Sequence, residues 1–214
     1  MKTCFYFGEN GGDFPGGAEL APGYGFTAAG LWRGVALPRP GPGTAGLMAD
    51  DRNVPSVRGA EAAAAALGDW TGLVVLDFER PPGPGAVRLV RALAGKRLVV
   101  PPALAALPHE AVLAGPWSGT GSFSRWLAAL KERYGAVVLD GAPLRSRTCP
   151  GGVPEPWTGP LPEGGFPCPG AGCLHRRLAD GSVLLWDTKE TLAARSKAAG
   201  VPVIVFMQDW EALA

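Results

Sequence analysis

The chain has almost no charge imbalance: 20 Lys and Arg stand against 19 Asp and Glu, a formal net charge of +1. Phosphate backbones are held by local excesses of cationic side chains, so a nucleic-acid or other polyanionic partner is not expected. The densest basic pair is Arg176–Arg177, and the rest are scattered. Long apolar runs are also missing. The opening MKTCFYFGEN holds an apolar stretch too short for a signal-peptide core, and no other stretch approaches a membrane span. A cytoplasmic chain without a membrane span is the expectation. Cysteine is scarce, and in that compartment Cys4, Cys149, Cys168 and Cys173 read as thiols rather than as a disulfide framework.

What remains is enough to build a core. The chain has 214 residues, of which 47% are apolar, as suits a single domain over 1–214. Its 32 Gly and 22 Pro fall between apolar runs, so they punctuate loops and do not signal disorder. The runs are Cys4–Phe7, Trp32–Leu37, Gly46–Ala49, Leu73–Phe78, Leu98–Val100, Ala111–Ala114, Ala136–Leu139 and Val203–Phe206. Each is short and bounded by Gly, Pro or charge, the pattern of strands buried on both faces.

Helical segments lie between these runs. Ser56 caps the Ala-rich Glu61–Leu67; Val87, Val90 and Leu93 share a face; Phe123, Trp126, Leu127 and Leu130 follow helical spacing behind Ser122. Asp187-Thr-Lys-Glu190 has the form of a capping box, and Gly200 closes its helix. Strand–helix alternation implies parallel strands. Eight strands then predict an α/β fold, a compact (β/α)8 TIM-type barrel. Residues 146–186 break the rhythm with Cys, Pro and Gly and a hairpin, Cys173–Leu178 and Ser182–Trp186 about Asp180–Gly181. They are expected to be an insertion between strands 7 and 8.

The most informative stretch is Gly72-Leu-Val-Val-Leu-Asp77-Phe-Glu79. Alternate strand side chains share a face, so Leu73, Val75, Asp77 and Glu79 point one way and Val74, Leu76 and Phe78 the other. If the second set packs under helices, both carboxylates emerge at the strand's C-terminal end, where barrel enzymes place their chemistry. Acids roughly 6–7 Å apart along a pleated strand raise one another's pKa in a dry pocket, which favours a general acid. The plainer reading is that both merely end a strand and meet Arg80 or solvent.

These residues resemble glycoside hydrolase family 18, the chitinase-like barrels, whose fourth strand ends in Asp-x-x-Asp-x-Asp-x-Glu. Asp77 and Glu79 match the last Asp and the Glu; Gly72 and Val75 stand where the family has its earlier acids. The stretch from Val183-Leu-Leu-Trp-Asp187 through Gly200-Val-Pro-Val-Ile-Val-Phe-Met207 is similar to the family's ending, and an insertion before it is common there. The resemblance implies hydrolysis of N-acetylated glycans in which the substrate's own acetamido group is the nucleophile. Glu79 would be the general acid and Asp77 would orient the acetamido. Met207, or Phe206, falls where the family has a Trp flooring the sugar. No Tyr matches the family's sixth-strand residue, since that run reads Ala114-Gly-Pro-Trp117.

Sugar sites also need aromatic platforms, for which Trp117 comes first and Tyr6, Trp186 and Trp210 are further candidates. Asp50 and Asp140, each ending a strand, are candidate contacts for hydroxyls or simple caps. Cys149, Cys168, Cys173 and His175 lack zinc-knuckle spacing, so no metal and no cofactor is expected. The expected partner is a carbohydrate bearing N-acetyl groups. The alternatives are an impaired relative that only binds carbohydrate or serves structure, and a barrel that holds a divalent ion with these acids.

Overall fold

The computed structural model describes residues 4–7, 18–27, 30–32, 37, 39, 44–51 and 54–213. The first strands are β1 (Cys4–Phe7), β2 (Ala18–Thr27), β3 (Gly30–Trp32), β4 (Thr44–Asp50) and β5 (Leu73–Asp77). They are followed by β6 (Leu98–Val100), β7 (Ala111–Ala114), β8 (Val137–Asp140) and, near the end, β14 (Val203–Phe206). These nine form one sheet in the order β1-β14-β8-β7-β6-β5-β4-β2-β3. The fold is α/β, with seven strands from β2 to β14 running parallel as a half-barrel.

The expected closed (β/α)8 barrel does not form. That architecture needs eight parallel strands, each followed by a helix. Here β1 runs antiparallel to both of its neighbours, β14 and β2. Only residues 8–17 separate β1 from β2, fewer than the roughly dozen a parallel crossover takes. The second strand, parallel to β4, is Ala18–Thr27, not the expected Trp32–Leu37. β2 carries Pro22, Gly23 and Gly25 and slips register against β4 between Ala21 and Tyr24, so it lacks the apolar run of a buried strand. The Trp32–Leu37 run contributes only Trp32 to β3, an antiparallel edge strand; residues 33–36 lie outside the described part. Between β6 and β7 there is only a 3-10 turn, Pro102–Leu104, behind Pro101.

Helices α1 (Val57–Leu67), α2 (Pro84–Ala92), α3 (Phe123–Tyr134) and α4 (Lys189–Ala199) lie in the β4–β5, β5–β6, β7–β8 and β8–β14 crossovers, and α5 (Met207–Glu211) follows β14. Ser56 caps α1 through its hydroxyl, which accepts from the Gly59 amide at 3.1 Å. Gly135 and Gly200, at φ 74° and 58°, end α3 and α4 in a backbone conformation that glycine favours. The α4 cap lies one residue later than Asp187: Thr188 and Thr191 form the reciprocal box. No helix among the described residues is long and apolar enough to cross a membrane.

Side-chain alternation sets the layers. Leu20, Met48, Leu73, Val75, Val138 and Ile204, with others, fill the concave face of the sheet. Val74, Leu76 and Phe78 face the other way and pack with α1 and α2. Gly46 is a close-approach point, because an added Cβ would lie 2.1 Å from the Leu73 carbonyl oxygen. Gly46→Ala is therefore expected to cost about 1–3 kcal/mol by pushing β4 off β5, seen as a lower urea midpoint with an unchanged slope.

The insertion is larger than one hairpin. The strands β9 (Arg145–Thr148), β10 (Pro154–Pro156), β11 (Phe166–Cys168), β12 (Cys173–Arg177) and β13 (Val183–Trp186) form an antiparallel sheet in the order β10-β9-β13-β12-β11. The β12–β13 hairpin turns through Gly181 at φ 81°.

Candidate functional site

Parallel α/β sheets bind ligands beyond the carboxyl ends of their strands. In this chain those ends are acidic. Asp50 ends β4 and is the register partner of Asp77, which ends β5. Asp140 ends β8. Asp77 continues the concave-facing set of Leu73 and Val75, while Phe78 anchors the opposite face edge-on against Phe26, with ring centroids 6.3 Å apart. Glu79 lies two residues on and is exposed; Asp77, Asp50 and Asp140 are half-buried.

The electrostatics draw these groups together. Burial, then the charges of Asp140, Glu79, Asp51 and Asp50, push the Asp77 carboxyl up to about 6. Burial also raises Asp140; the Ala142 amide, donating to it at 2.9 Å, opposes this, and Asp209 and Glu79 add to the rise. Asp51 is fixed differently, accepting from the Arg80 amide at 2.7 Å. Asp77 can therefore exchange a proton closer to neutral pH than an ordinary carboxyl, as acid–base chemistry requires.

Of the residues singled out in the sequence, Asp77, Glu79, Asp50 and Asp140 meet at this rim. Met207 is half-buried at the start of α5, one residue past β14. Tyr6 does not stand at a C-terminal end of the parallel set, because β1 runs against it; its backbone lies opposite Ile204, and its side chain is outside the described part. Trp117 is not an open platform. It is 6% exposed, its ring lies 5.6 Å from Phe123, and its indole N–H donates to the Thr120 carbonyl at 3.2 Å. The sequence showed no packing partner because Phe123 and Arg195 reach it from other elements.

Asp209 was missed. Its signal was its place in the first turn of α5, three residues past the C-terminal end of β14. It also lines a cavity of about 620 Å³ between the insertion and α5, with Leu144, Arg145, Glu163, Trp186 and Leu213. Trp186 is buried in that wall. Asp187 is not a rim acid: both its oxygens are taken by the Arg195 guanidinium, at 2.6 Å for Oδ1.

No group of three His, Cys, Asp or Glu among the described residues is arranged to hold a metal ion. Cys149 is exposed, and the His175 Nδ1 lies 2.8 Å from the Phe166 carbonyl oxygen. No family model, curated protein or solved structure matches the chain.

Proposed function

We propose that the chain is a glycoside hydrolase-like protein acting on N-acetylated glycans, with Glu79 as general acid and Asp77 as the group that orients the acetamido. The observation that carries the reading is the carboxyl pair at the C-terminal end of β5, with half-buried Asp77 on the concave side and exposed Glu79 two residues on. In the proposed step the acetamido oxygen of the substrate attacks the anomeric carbon. Glu79 gives its proton to the departing oxygen, and ionised Asp77 lies against the positive charge that develops on the acetamido.

Turnover of a chromogenic N-acetylglucosamine oligomer tests this. It is expected in the wild type and absent in Glu79→Gln, with binding retained. Hydrolysis that persists in Glu79→Gln would remove the assignment.

One observation favours a second reading, a carbohydrate binder without turnover. Val75 is fully buried in the apolar concave layer and Gly72 is also buried, so no carboxylate beneath Asp77 can exchange a proton with it. Under that reading the same oligomer binds, and the wild type and Glu79→Gln are equally inert.

A further inference from the structure

Cys168 ends β11, Cys173 opens β12, and the two are direct partners across the ladder. Their thiols are in hydrogen-bond contact, and both are free. Directly opposed antiparallel residues have Cα atoms roughly 4.5–5.5 Å apart, within the ~4.4–6.8 Å that a disulfide spans. Cys149, the other cysteine whose side chain is described, follows β9, which β13 separates from β12. We propose that Cys168 and Cys173 are a reversible modification site, closing to a disulfide by exchange with a small-molecule disulfide of the glutathione type.

Access sets the order of events. Cys168 is half-buried, whereas Cys173 is buried beside Trp117, Leu144 and Ala171. The Cys168 thiolate attacks one sulfur of oxidised glutathione; that S–S bond breaks and one glutathione leaves as its thiolate. Cys173 then gives its proton to solvent and attacks the Cys168 sulfur, which breaks the mixed disulfide and releases the second glutathione. Two protein thiols are oxidised, and one glutathione disulfide is reduced to two thiols. Burial, with the Asp187 charge and Cys168 adding and Arg195 opposing, pushes the Cys173 thiol up to about 12. Closure is therefore the slow step. It should quicken about tenfold per pH unit through the neutral range, since only the thiolate attacks.

The staple falls where the insertion grips the helices. The Phe123 amide, at the start of α3, donates to the Gly170 carbonyl at 2.9 Å. Gly172 lies against the Arg195 side chain. The same turn walls a groove of about 520 Å³ between α3 and α4. Joining Cys168 to Cys173 fixes the base of that turn, so the bond it makes to α3 opens less often.

The test uses the full reduced chain, incubated with oxidised glutathione between about pH 7 and pH 9 and mapped by mass spectrometry of its peptides. The wild type is expected to lose two hydrogens across the 168–173 segment, faster at higher pH, and to regain them with dithiothreitol. Cys149→Ser should behave alike, and Cys173→Ser should keep glutathione on Cys168. Exchange of the Phe123 amide should slow by about tenfold in the oxidised chain. The proposal is overturned if wild-type Cys168 retains glutathione without closing, if it pairs with Cys149 instead, or if oxidation leaves the Phe123 amide unchanged. The wild-type arms decide the matter even where a cysteine variant folds poorly, and none depends on sugar hydrolysis.

Discussion

Arg195→Ala is expected to cost about 3–5 kcal/mol of stability, a fall of roughly 6–20 °C in Tm for a chain of this size. The Arg195 side chain is 7% exposed and that of Asp187 is 0% exposed. The guanidinium meets the carboxylate with two nitrogens, and Asp187 also accepts from the Leu144 amide at 2.7 Å and the Thr191 hydroxyl at 3.2 Å. Removing Arg195 leaves a buried carboxylate without its cation, and burying a lone charge is the expensive case. It also strips the guanidinium from over the Trp117 and Phe123 rings, each 5.7 Å away. Arg195→Lys should restore only part of the loss, because an ammonium cannot make the paired contact. A double variant, Asp187→Leu with Arg195→Met, should be less damaged than the sum of its single changes. Urea midpoints for the cycle measure this; simple additivity would mean that the pair does not act as a unit.

The same pair shows what could be read beforehand and what could not. Asp187 stands at a strand–helix junction, as a cap does, yet its partner lies eight residues on, in α4, packed between the Trp117 and Phe123 rings and Gly172 of the insertion. Contacts of that kind come from tertiary packing and leave no local pattern. Strands β6, β7 and β14 were legible to the residue because each is a dense apolar run bounded by Pro, Gly or charge. β2 was not, because its Pro22 and glycines interrupt the pattern while backbone pairing and a register slip still hold it in the sheet. The direction of β1 was equally hidden, since an apolar run carries no sign of parallel or antiparallel pairing. At the rim, strand alternation correctly put Asp77 on the concave side. Which acid would be raised depended on burial and on Asp50, Asp51 and Asp140, all distant in sequence, as well as on the neighbouring Glu79. The missing matches for the family's inner acids are Gly72 and Val75, and their burial among apolar neighbours is what their residue types predict.

Asp77→Asn is expected to make the chain more stable above pH 6 and to lower turnover by about 10²–10⁴-fold. The sign follows from linkage. Asp77 titrates near 6 in the fold against 3.8 in the unfolded chain, so the folded state binds the proton more tightly. Its contribution is complete below the unfolded value and is lost as pH rises through about 6. Above that pH the wild type holds an ionised carboxylate beside Asp140, Glu79, Asp51 and Asp50, whereas Asn is neutral there. Because Asp77 is only part-buried, solvent screening reduces the gain to about 1–2 kcal/mol. Urea unfolding at about pH 4 and pH 8 reads it directly: the two proteins should be close at the lower pH and separate at the higher. Parallel pH curves would show that the carboxyl is not strained by its neighbours. The lost turnover has the same origin. A carboxylate crowded by like charges destabilises the empty rim, yet it is poised to oppose positive charge on a bound acetamido. If ionised Asp77 is the working form, wild-type hydrolysis should rise with pH through about 6; a fall through the same range would make Asp77 the proton donor in place of Glu79.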